Sequence, residues 1–353
     1  MTLPATVAVD VGGTKIRAGS VIDGRLAHVR SVPTPATSGA QAVLDTIAEV
    51  TAAVVADASG SRGATSGMGS DGTVEPISGG AGSGSVRTGS DAEFAWRIGV
   101  GAAGVIDPAT GTVVSATDSL PGWAGTDLVA ELTARTGLPI RVVNDVHAHA
   151  LGEAAAGASR GTRNSLLVAA GTGIGGGFIT DGHLLTGRNS AAGHVGHVPS
   201  AAASGLACPC GGTGHVEAIA SGPAILNTYR RLVDASDSPT STPVAAPVPA
   251  NTRELAAAAS AGDALAVRAF DIGARALGSA LGGISNILSP EVIVVGGGLA
   301  EMDETWWAPL REAFAAELIP ATSGTQLVKA ELGQDAALIG AASLWNAEQR
   351  ETR

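Results

Sequence analysis

The chain has 353 residues, 45% of them hydrophobic and 15% charged, with a formal net charge of −11. That length and apolar content support two domains with buried cores rather than a disordered chain. The acidic balance argues against a nucleic-acid partner held through phosphates, and no run of about 18 apolar residues or secretory leader appears, so a cytoplasmic protein without a membrane partner is expected.

Residues 6–11 read as a buried strand, which Gly12, Gly13, Thr14 and Lys15 turn into a second strand, 16–22, ending in an Asp23-Gly24 hairpin turn. A strand ending in Asp10 before a Gly-Gly-Thr turn offers free N–H groups and a hydroxyl to a phosphate, and a carboxylate to order Mg²⁺. An ordinary hairpin is the alternative reading. Residues 39–58 have helical periodicity, with Val43, Leu44, Ile47, Val50 and Val54 on one face. Residues 59–90 collapse into Gly and Ser, which predicts a flexible insert or long loop. A strand at 96–100 then enters the glycine-rich turn 101–107, where backbone can approach a ligand closely.

A loop at 118–123 and a helix at 127–136, closed by Gly137, precede a short buried strand at 139–143. That strand delivers Asn144 and Asp145 at its carboxyl end, ahead of a helix over 147–157. Ligands bind at that edge of an α/β sheet; a helix N-cap is the competing reading of Asp145. The strand 165–169 meets the glycine run 171–177, continues as Phe178-Ile179 and turns at Asp181-Gly182. This repeats the first hairpin about 160 residues later, which predicts a duplicated fold with a phosphate cradle in each half.

The stretch 193–222 holds both cysteines and an H-x10-C-x-C-x4-H constellation of His197, Cys208, Cys210 and His215. Thiolate and imidazole are what a structural Zn²⁺ takes, and two cysteines so close cannot staple a secreted fold. A glycine-rich loop with incidental thiols is the alternative. Residues 217–232 read as a helix and 235–251 as a Ser/Thr/Pro/Ala-rich loop or second insert. Helices follow at 252–261 and 263–288, the latter with Leu277, Leu281, Ile284 and Leu288 as a core stripe. A strand at 292–295 ends in Gly296, Gly297 and Gly298, against which a base or ribose can pack. A helix at 305–319, a strand at 326–330 and a helix at 335–348 complete the chain.

Together, VAVDVGGTKIRAG, LPGWAGTDL, VVNDVHAHALGE, AAGTGIGGGFI, the GHVGH and CPCGGTGHVEA block and ILSPEVIVVGGGLA resemble the ROK family of sugar kinases and repressors. The resemblance spans nearly the whole chain apart from the two inserts. It implies an α/β, actin-like ATPase (ribonuclease H-like) duplicated fold, with a nucleotide and sugar cleft between two lobes. The small lobe would be 1–118, the large lobe 119–334, and the helix 335–353 would pack back toward the first lobe.

The resemblance also implies the roles. Asp145 would be the general base for the 6-hydroxyl of a sugar attacking ATP. Asn144, His194, His197 and Glu217, with Gly101 and Gly104, would hold the sugar. Asp10 would organise Mg²⁺; Gly12, Gly13, Thr14, Lys15, Gly171, Thr172 and Gly173 would grip phosphates; Gly296, Gly297 and Gly298 would flank the nucleoside. A structural Zn²⁺ and a homo-oligomer, a dimer above all, are implied as well.

Two positions depart from the family pattern. His194 stands where many glucokinases of the family have a glutamate, and an imidazole cannot offer two acceptors. G-H-V-G-H with the following V-E-A-I-A-S-G is similar to the family's bacterial N-acetylmannosamine kinases. His215 stands where the family usually has a third cysteine. The resemblance thus implies N-acetylmannosamine 6-phosphorylation, with glucose or another N-acetylhexosamine as the alternative substrate. A sugar-responsive repressor is the remote alternative, disfavoured because the phosphate motif begins within ten residues of the start.

Overall fold

The computed structural model describes residues 3–65, 94–116, 120–236 and 249–346. The first sheet grows from β1 (Leu3–Val11), β2 (Lys15–Ile22) and β3 (Arg25–Pro33), an antiparallel meander. Asp23 and Gly24 carry φ of 50° and 73°, the left-handed pair that a two-residue hairpin turn requires. Helix α1 (Ala40–Thr65) covers this sheet. Its Val43, Leu44, Ile47, Val50 and Val54 are all buried against Val7, Val9, Ile98 and Val100, each contributing about 1.5–3 kcal/mol of apolar transfer. The helix runs past the expected break at 59. Ser59 Oγ donates back to the Val55 carbonyl at 2.8 Å, so the small residues extend the helix instead of ending it. The rest of the expected insert lies outside the described residues.

Strand β4 (Phe94–Ala102) lies parallel to β1, and a small ribbon of β5 (Val105–Asp107) and β6 (Thr112–Ser115) follows. Helix α2 (Leu128–Thr136) is capped by the Asp127 carboxylate and closed by left-handed Gly137. Strand β7 (Ile140–Asn144) then pairs in parallel with β4, giving the order β3-β2-β1-β4-β7. The division expected after residue 118 therefore falls inside the first lobe. Leu128, Leu132 and Ile140 bury into the same core as α1, a long-range pairing that local periodicity cannot reveal.

Helix α3 (Asp145–Ala156) leads to the second sheet, formed by β8 (Ser165–Ala170), β9 (Ile174–Thr180) and β10 (His183–Leu185). Residues 175–177, expected in a turn, lie within β9. A Cβ at Gly176 would come 2.8 Å from the Leu167 carbonyl oxygen, and one at Gly177 would come 2.7 Å from Ala150 Cβ. Bare backbone is needed there because a strand and a helix both press close.

The expected helix 217–232 is two helices, α4 (Glu217–Ala220) and α5 (Gly222–Ser236), broken where Gly222 N–H donates to the Gly171 carbonyl at 2.8 Å. Helices α6 (Thr252–Ser260) and α7 (Ala264–Leu288) follow. Leu277, Leu281 and Ile284 are buried as expected, whereas Leu288 is exposed at the helix end. Strand β11 (Val292–Gly296), helix α8 (Glu304–Glu317), strand β12 (Gln326–Lys329) and helix α9 (Asp335–Ser343) complete the order.

The second sheet reads β10-β9-β8-β11-β12. In each sheet the first strand pairs antiparallel with the second, which pairs antiparallel with the third; on its other side it pairs parallel with a fourth, which pairs parallel with a fifth. This is the duplication that the repeated hairpins imply. Helices α3 and α9 cross between the sheets, α3 against β8, β9 and β4, and α9 against β1 and β4. Their contact is backbone to backbone: a Cβ at Gly340 would lie 1.8 Å from the Ala148 carbonyl oxygen. Beyond α9, the Trp345 indole donates to the Ile98 carbonyl at 3.0 Å, with Arg97 and Arg141 over its ring. No described helix is long and apolar enough to cross a membrane.

Candidate active site

The strand-to-helix junction at β7–α3 carries a connected polar cluster. Asn144 is the N-cap: its Oδ1 accepts from His147 N at 3.1 Å, and its Nδ2 donates to the Gly104 carbonyl and to Asp145 Oδ1, both at 2.8 Å. The cap role considered for Asp145 thus belongs to its neighbour. Asp145 Oδ1 also accepts from Val146 N at 2.9 Å, so these bonds leave Oδ2 for a hydroxyl. Burial pushes the Asp145 carboxyl up from its ordinary value, against the opposing effect of the Val146 and Asn144 hydrogen bonds.

Asp10, at the end of β1, lies within the field of Asp145. Its pKa is pushed up to about 6, by burial first and then by Asp145, with Arg17 and Lys15 opposing. Two carboxyls both raised by burial, one of them further by the other, make a site that a divalent cation would relieve. A crevice of about 470 Å³ runs from Asp10 and Lys15 past His149 to Gly296, Gly297 and Lys329, joining the two lobes. Gly297 has φ +88°, and a Cβ there would lie 2.4 Å from the Ala170 carbonyl oxygen. The first turn is held by Thr34, whose Oγ1 donates to the Gly12 carbonyl at 2.7 Å.

In the second hairpin, Gly171 N–H donates to the Gly173 carbonyl at 2.9 Å, and Thr172 is exposed at the tip. Glu217 grips this turn: its Oε2 accepts from Ile174 N at 2.6 Å. The residue that follows the cysteine knuckle therefore fixes the second glycine hairpin as well as facing the histidines. His194 is exposed, and its Nδ1 lies 2.8 Å from the Ala191 carbonyl. A carbonyl only accepts, so Nδ1 carries the proton and Nε2 is left as one acceptor. The His194 ring stacks near-parallel on His197 at 6.0 Å. Burial pushes the His197 pKa down, which keeps a neutral imidazole.

The knuckle closes through Cys208 N–H to the Gly212 carbonyl (2.8 Å) and Val216 N–H to the Val198 carbonyl (3.0 Å). His197 Nδ1 faces Cys208 Sγ at 3.7 Å, and His215 Nδ1 faces Cys210 Sγ at 3.2 Å. The donor atoms of all four residues lie within 4.8 Å of one another. A tetrahedral Zn²⁺ with bonds of about 2.0–2.3 Å spaces its ligands by about 3.3–3.8 Å, so the donor set fits with a small contraction.

Asn144, Asp145 and Asp10 thus come together, as do His194, His197 and Glu217. Gly104, with φ +105°, acts through its carbonyl on Asn144. Gly101 is buried within β4, where a Cβ would lie 2.8 Å from Ala148 Cβ. Lys15 points along the crevice and donates to Gln334 Oε1 at 2.7 Å. Sequence reasoning missed His149 and Glu153, although they follow Asp145 at helical spacing. Glu153 accepts from Ala158 N (2.7 Å) and Leu332 N (2.9 Å), tying α3 to the segment before α9. It also missed the Lys329–Glu301 ion pair at 2.7 Å on the crevice rim, for which no motif exists.

The sequence profile of the ROK family matches residues 86–348. The chain is 37% identical to the glucokinase of Thermotoga maritima over 257 residues, 72% of this chain and 80% of that one. It is 30% identical to the N-acetylmannosamine kinase of Citrobacter koseri, across 96% of this chain and 98% of that one. Among solved structures, a Streptomyces griseus ROK family glucokinase in complex with glucose and AMPPNP superposes with a TM-score of 0.69 at 30% identity, covering 96% of this chain and 98% of that one.

Proposed function

Because the chain belongs to the ROK family, we propose that it is an ATP-dependent sugar kinase that phosphorylates the 6-hydroxyl of N-acetylmannosamine. The observation carrying the kinase reading is the pair Asn144–Asp145, whose carboxylate acts on Asp10, a residue lining the crevice that also holds the Gly296–Gly298 backbone. Asp145 Oδ2 takes the hydroxyl proton as the oxygen attacks the γ-phosphate, while Asn144 holds Oδ1 still. Phosphoryl transfer is mostly positioning and charge stabilisation. With Gly12 and Gly171 N–H closing their own turns, the backbone N–H groups of Gly13, Thr14, Thr172 and Gly173 and the Lys15 ammonium receive the phosphates; Gly296, Gly297 and Gly298 flank the nucleoside. Asp10 would hold Mg²⁺, which supplies charge neutralisation between the phosphates.

His197, Cys208, Cys210 and His215 would hold a structural Zn²⁺ that closes the knuckle. With Nδ1 turned to the cysteines, His197 keeps Nε2 for a sugar hydroxyl, and Glu217 stands beside it. His194 favours N-acetylmannosamine: its single acceptor replaces a carboxylate that could accept from two neighbouring hydroxyls, which suits a sugar lacking the free 2-hydroxyl. The second reading, glucose, is favoured by the higher identity to the Thermotoga maritima glucokinase.

Phosphorus and carbon NMR of the product from ATP and N-acetylmannosamine tests the reading. A 6-phosphate is expected, and a 6-deoxy analogue should be inert. His194→Glu should move preference toward glucose. Turnover of the 6-deoxy sugar, or none with any hexose, would overturn the proposal.

A further inference from the structure

The segment carrying His194 is fastened to the helix of Asp145 by a side chain with no part in the chemistry above. His147 is 2% exposed and lies two residues after Asp145 on α3. Its backbone N–H donates to Asn144 Oδ1 at 3.1 Å, so its main chain belongs to the cap that sets Asp145. Its ring Nε2 lies 2.8 Å from the Ala192 carbonyl. A carbonyl only accepts, so Nε2 carries the proton. On its flank the ring meets β9, where a Cβ at Gly177 would lie 3.4 Å from His147 Cδ2. The next residue of the loop, Gly193, has φ +91°, and a Cβ there would come 2.2 Å from the Gly176 carbonyl oxygen. Residues 192 and 193 are therefore pinned from two sides, by the imidazole of α3 and by the bare backbone of β9. Nothing else in the sequence marks His147, which reads as an ordinary helix residue.

We propose that His147 is a positioning residue that sets the His194 segment against Asp145, so that a sugar seated on His194 presents its hydroxyl to Oδ2. This rests on the reading of Asp145 as base and His194 as sugar contact. The hydrogen bond joins the two by the shortest route: His194 is two residues past the accepting carbonyl, and Asp145 two residues before the donating ring. The nucleotide-facing backbone of Gly12–Gly13 and Gly296–Gly298 has no part in it, so the consequences of breaking it should be confined to the sugar.

The test is steady-state kinetics of the full chain with His147→Phe, which keeps a ring without the donor, and His147→Gln, which keeps an N–H at similar reach. His147→Phe should raise the sugar KM and lower kcat, each at least tenfold, with the ATP KM within twofold. His147→Gln should recover both sugar parameters to within threefold. The proposal is overturned if His147→Phe has unchanged sugar kinetics, if the ATP KM rises in parallel, if His147→Gln is as impaired as His147→Phe, or if either variant does not fold. Asp145→Asn run alongside separates the two layers. Turnover by that variant would sink the kinase assignment of Asp145. Its inactivity, together with normal kinetics for His147→Phe, would sink only the role of His147.

Discussion

Replacing Asp145 with Asn removes the proton acceptor while leaving the shape of the site. The new side chain can keep its Oδ1 where it accepts from Asn144 Nδ2 and Val146 N, both within 2.9 Å in the native protein. Its Nδ2 then stands in the place of Oδ2, a donor facing a hydroxyl that must lose a proton. A positioned general base contributes about 10²–10⁴-fold, or roughly 2.7–5.4 kcal/mol of barrier. We expect kcat to fall by that factor in an ADP-release assay, with the ATP KM within threefold. Stability should move the other way. The native carboxyl has its pKa raised by burial, so the folded state binds the proton more tightly than the unfolded chain. The stability that this gives is present at low pH and lost as pH rises through the folded pKa. At pH 7 the ionised form therefore costs stability that the amide does not, and the variant should melt higher than the native protein. A kcat within tenfold of the native value would refute Asp145 as the base, and a lower melting temperature would refute the burial argument.

Asp10 is raised to about 6 from 3.8, so its stabilising effect is complete below about pH 4 and fades as pH climbs through about 6. The melting temperature of Asp10→Asn relative to the native protein should therefore rise between pH 5 and pH 7, and a constant difference would contradict this. Stripping metal with a chelator, or Cys208→Ser, should raise the sugar KM at least tenfold with the ATP KM unchanged; a chelated protein with native sugar affinity breaks the link through His197. Gly340→Ala places a methyl 1.8 Å from a backbone oxygen and should cost about 3 kcal/mol or more in denaturant titrations. Gly283→Ala, with nothing within 4 Å of its Cβ, should instead stabilise by about 0.5–1 kcal/mol.

The hairpins of both halves were legible because their signals are local: alternating apolar strands, glycine turns and Asp-Gly pairs. Asn144 and Asp145 were legible because a short apolar strand ends on them. What escaped was non-local. The membership of β7 in the first sheet depends on its parallel register with β4, Ile98 opposite Ile140, which no window of sequence contains. Gly175, Gly176 and Gly177 looked like turn residues. Their reason is the close approach of Ala150, Leu167 and Val146 from other elements. Gly101 looked like a ligand-facing turn for the same reason and is the floor beneath Ala148. Glu217 was expected at the sugar, and its bond to Ile174 N adds a second task, holding the glycine hairpin of the second half. His149 and Glu153 could have been found from their spacing of four and eight residues after Asp145, which places them on one face of α3.

The proposal that Asp145 and the His194 loop make an N-acetylmannosamine 6-kinase is tested by kcat/KM measured side by side on N-acetylmannosamine, N-acetylglucosamine, glucose and mannose, with ATP saturating. N-acetylmannosamine should give the highest value; a preference for glucose of more than tenfold would contradict the assignment.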